Sequence, residues 1–387
     1  MQLTLTKQRK KIAILASGGM FINAFMRRHI EVLSTKYSVY IIANTEQHAV
    51  SNFDVNAVTV IHFPFSRNVK LINDIKCLID LRRTLVKLNP GAVISLTPKA
   101  GFLTSLASFS AGVPLRIHIF TGQVWVTKSG LSRAMYKRCD ALVGKLVTHA
   151  LADSSSQLEF LVDQRVISFA KIKALGNGSI SGVDTNRFKP DSRVCRDVRR
   201  ELELEPNSVV ILFMGRLNRD KGILDLARAF VRLNQESHAA STLVILGPDE
   251  GMKDQVESIL ELQRSRVRFV GFSSVPERYL AAADIFCLPS YREGFGTSVI
   301  EAAATGLPSI VSRIYGLTDA VVENETGLFH EPGSIDELAS ALVRLVESES
   351  LRKELGAKAR LRALKNFDSD WVTDKLVTYL DALLDVG

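Results

Sequence analysis

The stretch Pro289-Ser-Tyr-Arg-Glu293-Gly-Phe-Gly-Thr-Ser-Val-Ile-Glu301-Ala302 decides how this chain of 387 residues is read. It follows Asp284-Ile-Phe-Cys-Leu288, an apolar run too short for a helix and suited to a buried strand. Pro289 and Ser290 end that strand, and Gly294 and Gly296 keep the next turn thin. From Thr297 the pattern is helical, with Val299, Ala302, Ala303 and Gly306 available to face a sheet. Glu293 then sits in a strand-to-helix loop and Glu301 about a turn inside the helix. The backbone amides of Phe295, Gly296 and Thr297 lie between them, at a positive helix end suited to phosphate. Such a loop can grip sugar hydroxyls, a diphosphate and a ribose together. A Gly-rich turn carrying two surface glutamates is the plainer alternative.

Working outward, the same rhythm recurs on both sides. Strands are expected at Lys11–Ala16, Tyr37–Ala43, Val58–His62, Ala92–Leu96 and Leu115–Phe120, then at Val209–Met214, Thr242–Leu246, Val267–Val270 and Ser309–Ser312. Helical patterns separate them, and three charged helices finish the chain. The turn-rich piece Lys173 to Pro190 reads as a linker. Strands alternating with helices on both sides of it predict an α/β protein of two Rossmann-like, doubly wound parallel-sheet domains facing a cleft. The expected domains are residues 1–190 and 191–365, with 366–387 as a last helix.

Composition narrows the class. The chain is 46% apolar and 23% charged, with no apolar run long enough to span a bilayer. Ile12–Ala16 is too short for a signal-peptide core. Cys77, Cys139, Cys195 and Cys287 are scattered, which fits neither a metal knuckle nor a disulfide framework and favours the cytoplasm. Residues 1–190 hold 25 Lys and Arg against 10 Asp and Glu, a balance of +15, and the remainder holds 24 against 31, or −7. A basic half suits an anionic membrane, a phosphorylated ligand or nucleic acid, although no nucleic-acid module is recognisable. A solvated basic face is the alternative.

Several loops are candidates for chemistry. Gly215-Arg216-Leu-Asn-Arg-Asp-Lys221-Gly222 follows a strand, and its Arg and Lys could share one diphosphate, the first as a planar fork and the second as a point charge. Gly18-Gly19 closes a tight turn after the first strand, a weak signal without a complete G-x-G-x-x-G. Residues 69–88 form a basic helix that either packs on the core or lies on a membrane. Residues 132–150, with Arg133, Lys137 and Arg138, form a second. Thr121-Gly-Gln123-Val-Trp125 is expected as an exposed loop at a strand end, where open α/β sheets gather their ligands.

Arg216 with Lys221, followed roughly 75 residues later by Glu293-Gly-Phe-Gly and Glu301-Ala302, resembles the retaining glycosyltransferases of the "glycosyltransferase group 1" family. That resemblance implies GT-B architecture over nearly the whole chain. It implies that Arg216 and Lys221 hold the donor diphosphate and Glu301 the ribose. Glu293 and the Phe295, Gly296 and Thr297 backbone would address the transferred sugar, and the Gly18-Gly19 turn would approach the diphosphate and the acceptor. The last helix commonly crosses back to the first domain, which Trp371–Leu384 could do. Thr97-Pro-Lys99-Ala-Gly101, the segment from Ile117 to Trp125, and Asp153-Ser-Ser-Ser-Gln157 resemble bacterial transferases that extend lipid-linked oligosaccharides for capsule, O-antigen or glycan assembly. Lys99, Gln123 and Trp125 become candidate acceptor residues. Many members place a histidine just before a glycine after the fifth strand. Here Thr121 stands before Gly122, and His118 is a displaced catalytic candidate, with a core histidine as the alternative.

The resemblance implies retention at the anomeric carbon, a UDP-linked hexose or N-acetylhexosamine donor and a lipid-diphosphate saccharide acceptor. It implies no cofactor and no metal, because the departing diphosphate would meet Arg216, Lys221 and helix N-termini. The expected location is the cytoplasm, peripheral on the inner face of the cytoplasmic membrane. A nucleotide-sugar epimerase of the same fold and a non-catalytic two-lobed binding protein are the alternatives.

Overall fold

The computed structural model describes residues 9–46, 48–51, 53, 57–66 and 71–385. The chain divides into two units, residues 1–176 together with 370–387, and residues 177–369.

The first unit is built on seven strands: β1 (Lys11–Ala16), β2 (Ser38–Ala43), β3 (Val58–His62), β4 (Ala92–Ser95), β5 (Leu115–Phe120), β6 (His149–Ala152) and β7 (Ile172–Ala174). They lie in the order β3-β2-β1-β4-β5-β6-β7, every neighbouring pair parallel. Helices cover such a sheet on both faces, so its strands are continuous apolar runs; Ile12 to Ala16 are all fully buried. The helices Leu71–Leu88, Pro98–Ser110 and Gly130–Leu146 pack side by side, the middle one touching both others. Val69 and Lys70, counted in the sequence as the start of the first of these, lie outside the described residues. The helix Ser369–Asp385 closes the unit against Arg27–Lys36. Between them, buried His29 bonds Thr373 at 2.9 Å and the Tyr37 hydroxyl donates to Asp381 at 2.6 Å.

The second unit has six strands: β8 (Val209–Met214), β9 (Ser241–Leu246), β10 (Val267–Gly271), β11 (Ile285–Leu288), β12 (Ser309–Ser312) and β13 (Gly327–His330). Their order is β10-β9-β8-β11-β12-β13, again all parallel. The boundary differs from the one expected at residue 190. Residues 177–190 belong to the second unit because Val183 bonds across to Phe367 and Ser369, at 2.7 and 2.9 Å, and buries its side chain with Phe188 in that core. The piece that joins the first unit correspondingly starts at 370, not 366.

Strand order reverses between β1 and β4 in one sheet and between β8 and β11 in the other. Connections leave such a point in opposite directions, so a crevice opens at the carboxyl ends of those strands. In the second unit the two loops at that crevice are Gly215–Gly222 and Pro289–Gly296.

Candidate active site

Asn218 shapes the first of these loops. Its side-chain oxygen accepts from the Lys221 backbone N–H at 3.1 Å, which caps the short turn Arg219–Lys221. Gly222 then takes φ +67°, and a Cβ there would lie 1.9 Å from the Pro289 carbonyl oxygen. Only glycine lets the two loops approach this closely. That approach brings the Lys221 ammonium to 2.5 Å from Glu293, whose same oxygen accepts from the Ser290 hydroxyl at 2.8 Å. Both partners are largely buried, with side chains 20% and 12% exposed. Beside them Arg292 pairs with Asp220 at 2.9 Å, so two ion pairs tie the loops together, and the Tyr291 hydroxyl donates at 2.5 Å to Asp225 on the helix that follows.

Arg216 is held from a third side. Its Nη1 donates to both oxygens of Glu250, at 2.9 and 3.0 Å, and the Asn218 amide donates to the same carboxylate at 2.7 Å. Among the described residues neither Nε nor Nη2 of Arg216 has a partner, so one edge of the fork is presented outward.

The helix Thr297–Ala304 starts at Gly296, which has φ +85° and no side chain to cap the first amides. Phe295 is 1% exposed and packs edge-on against Phe367, with ring centroids 5.1 Å apart, so only its backbone can face a ligand. Glu301 lies on the first turns of this helix, partly buried, and burial pushes its carboxyl up to about 7. Arg187, paired with Glu277 at 2.7 Å, works against that rise. The structure therefore gathers Arg216, Lys221, Glu293, the 295–297 backbone and Glu301 on adjoining loops and one helix start.

The first unit's candidates are sorted differently. Gly19 donates to the Asn44 carbonyl at 3.0 Å, and a Cβ on it would come within 2.2 Å of the His48 carbonyl, so this turn is glycine by close backbone approach. Gly18 beside it is extended, at φ −162°. Across the crevice Thr97 holds the rare φ of +66°, and its hydroxyl lies 2.6 Å from that of Ser17. Lys99 is paired with Asp74 at 2.7 Å and donates to Ser66 at 2.9 Å.

Three placements correct the sequence reading. His118 is in the core: its Nδ1 meets the Ser95 hydroxyl at 2.9 Å, and its ring packs so near Gly101 that a Cβ there would lie 2.2 Å away. Burial lowers its pKa to about 4, so it is a neutral packing residue near pH 7. Trp125 is fully buried instead of exposed, stacked on Phe160 at 5.3 Å and donating its indole N–H to Asp140 at 2.8 Å. Gln123, 2% exposed, spends its amide on the Thr121 carbonyl and meets Gln157 at 3.3 Å.

Glu250, Ser290, Arg292 and Asp220 are the site residues that the sequence reading missed. Asn218 carried a signal, since an Asn directly before a helical turn is a capping pattern. Glu250 carried none, because its link to Arg216 exists only once β8 and β9 are paired.

Two nucleotide-binding-type sheets, with paired cations and carboxylates at one switch point, define a GT-B glycosyltransferase architecture. Residues 196–362 match the family model "Glycosyl transferases group 1" and residues 29–178 the model "Glycosyl transferase 4-like domain". The chain belongs to the glycosyl transferases group 1 family. It is 29% identical over 360 residues to the capsular polysaccharide biosynthesis glycosyltransferase CapM of Staphylococcus aureus, covering 93% of this chain and 94% of that protein. It is 31% identical over 291 residues to an Escherichia coli UDP-Gal:alpha-D-GlcNAc-diphosphoundecaprenol alpha-1,3-galactosyltransferase, covering 74% of each. Among solved structures, sucrose-phosphate synthase from Thermosynechococcus elongatus superposes with a TM-score of 0.82 at 18% identity, over 98% of this chain and 100% of that one. Anabaena Alr3699/HepE, solved with UDP and glucose, gives 0.78 at 18% identity, over 97% and 100%. At those identities the structures speak to the fold alone.

Proposed function

We propose that this glycosyltransferase moves a hexose or N-acetylhexosamine from a UDP-sugar to a lipid-diphosphate-linked saccharide, with retention, during assembly of a bacterial surface polysaccharide or glycan. The observation that carries the reading is the Lys221–Glu293 pair at the second sheet's switch point, flanked by Arg216 and by the uncapped helix start at Thr297. Lysine has three protons, so Lys221 can keep Glu293 and still donate to a phosphate. The outward edge of Arg216 offers two parallel N–H groups to the same diphosphate. Glu301 accepts from ribose hydroxyls, and Glu293 with the 295–297 amides addresses the sugar. The Gly18-Gly19 turn and Lys99 are assigned to the diphosphate and acceptor side. Charge developing on the departing diphosphate falls among cations already in place, which is electrostatic preorganisation and asks for no metal. The UDP and lipid-diphosphate assignments draw on the named activity of the E. coli relative, and the pathway on that of CapM.

A lipid-borne acceptor places the protein at the inner face of the cytoplasmic membrane as a peripheral enzyme. No helix among the described residues is long and apolar enough to cross a membrane. The test is a donor screen with UDP-, GDP- and ADP-sugars and a lipid-diphosphate saccharide, reading product mass and anomeric configuration. Transfer from UDP-sugars with an α-linked product, undiminished by EDTA, is expected. Turnover with GDP-mannose alone overturns the nucleotide assignment, and an inverted product overturns retention.

A further inference from the structure

The helix Leu71–Leu88 of the first unit has two apolar faces. Cys77, Leu81, Leu85 and Leu88 are buried against the sheet, as a core-packing helix requires. On the opposite side Ile72 is 84% exposed, Ile75 59%, Val86 51% and Ile79 46%. At 3.6 residues per turn these four fall within about 60° of arc, so they form a stripe and not a scatter. Single exposed apolar residues need no explanation, but an aligned stripe does.

Charge frames the stripe. Lys76, Arg83 and Lys87 run along one edge and Arg82 lies on the other, all exposed. The acidic residues of the helix offset only one of these cations: Asp80 meets Arg83 at 3.3 Å, whereas Asp74 is turned inward onto Lys99. The helix Gly130–Leu146, separated from this one only by Pro98–Ser110, repeats the pattern: Leu131 is 90% and Met135 52% exposed, with Arg138 and Lys145 beside them. Phe109, 56% exposed at the end of the helix between, adds an aromatic ring to the same side.

We propose that this face docks on an anionic phospholipid bilayer, with Ile72, Ile75 and Ile79 entering the acyl boundary while the flanking cations meet lipid phosphates. A bilayer matches both features at once: apolar side chains need somewhere to insert, and a cationic rim needs anionic charge in the same plane. The proposal deepens the lipid-acceptor reading and rests on it for why a bilayer is visited. It differs from attraction by charge alone, because insertion survives salt.

The experiment is flotation of the purified full chain with phosphatidylcholine vesicles, with and without phosphatidylglycerol, at low and high salt. Binding is expected to require phosphatidylglycerol, to weaken with salt, and to retain a salt-resistant fraction. The triple variant Ile72→Ser, Ile75→Ser, Ile79→Ser should lose that fraction and bind at least tenfold more weakly, while turnover with a short-chain, water-soluble acceptor is unchanged. Independently, the new indole of Ile79→Trp should blue-shift with vesicles and be quenched by brominated lipid. Wild-type binding by the triple variant, or no flotation at all, overturns the proposal. So does a wild-type dimer that the triple variant dissolves, which would make the stripe a contact between copies. Failed flotation with turnover intact removes the docking face alone, whereas flotation without transfer to any lipid-diphosphate saccharide removes the acceptor reading alone.

Discussion

Around neutral pH the Glu301 carboxyl is divided between two protonation states, because burial lifts its pKa from 4.5 to about 7. Between those values the folded chain binds a proton that the unfolded chain has released, so stability falls as pH rises through that window. Glu301→Gln removes the effect. It should gain on the wild type by on the order of 1–2 kcal/mol between pH 4.5 and pH 8, after allowing for solvent screening of a partly exposed group. Paired denaturant titrations check this. If the carboxylate accepts from ribose, the donor KM should also fall from pH 6 to pH 8 in the wild type and stay flat in Glu301→Gln. Replacing Lys221 or Glu301 by Ala should cut turnover at least about tenfold, since each removes a charge-assisted contact of roughly 1.5–3 kcal/mol, with folding retained by circular dichroism. Glu250 acts one step back, by holding Arg216. Glu250→Ala should raise the donor KM about fivefold, near 1 kcal/mol, with a smaller change in kcat, and Glu250→Gln should recover most of it because its oxygen still accepts from Nη1.

At the scale of elements, legibility followed burial. Parallel strands covered on both faces are unbroken apolar runs, so β1, β5, β8 and β12 stand in the sequence where the structure has them. β7 did not, because three residues, Ile172–Ala174, precede a turn-rich stretch and resemble its first part. The residues 121–125 show why loops resist such reading. Polar neighbours suggest exposure, but the 3₁₀ turn Val124–Thr127 rolls the Trp125 ring inward onto Phe160. His118 fails for a related reason: where both sheet faces are covered, strand alternation says which face a side chain takes and not whether it reaches water. The loops Gly215–Gly222 and Pro289–Gly296 were legible because glycine, charge and a helix start coincide there. Two substitutions probe these elements. Gly222→Ala combines a positive φ with a collision on Pro289, and should cost at least about 2 kcal/mol by denaturant unfolding. Trp125→Phe leaves the half-buried Asp140, whose pKa already stands near 6, without its indole donor. A loss of about 1–3 kcal/mol is expected, with the acceptor KM unmoved; a large KM effect would restore Trp125 to the acceptor side.

Across the whole molecule, the charge asymmetry and the division into units follow different boundaries. The basic excess of residues 1–190 belongs almost entirely to the first unit, yet that unit also takes the acidic-rich helix Ser369–Asp385, whose Asp370 and Asp381 answer Arg28 and Lys36 at 2.5 and 2.7 Å. Losing residues 370–387 should therefore expose His29 and its apolar neighbours and lower the thermal transition of the first unit. Limited proteolysis should then show cuts confined to residues 1–176. The discontinuity also bears on synthesis. A ribosome releases residues 1–176 first, but their last helix emerges only after the whole of 177–369 has left the exit tunnel. All the residues of the second unit are made before that helix, while the first unit keeps an open apolar groove until the helix arrives. For most of its synthesis, the half that is made first is the half that needs a chaperone.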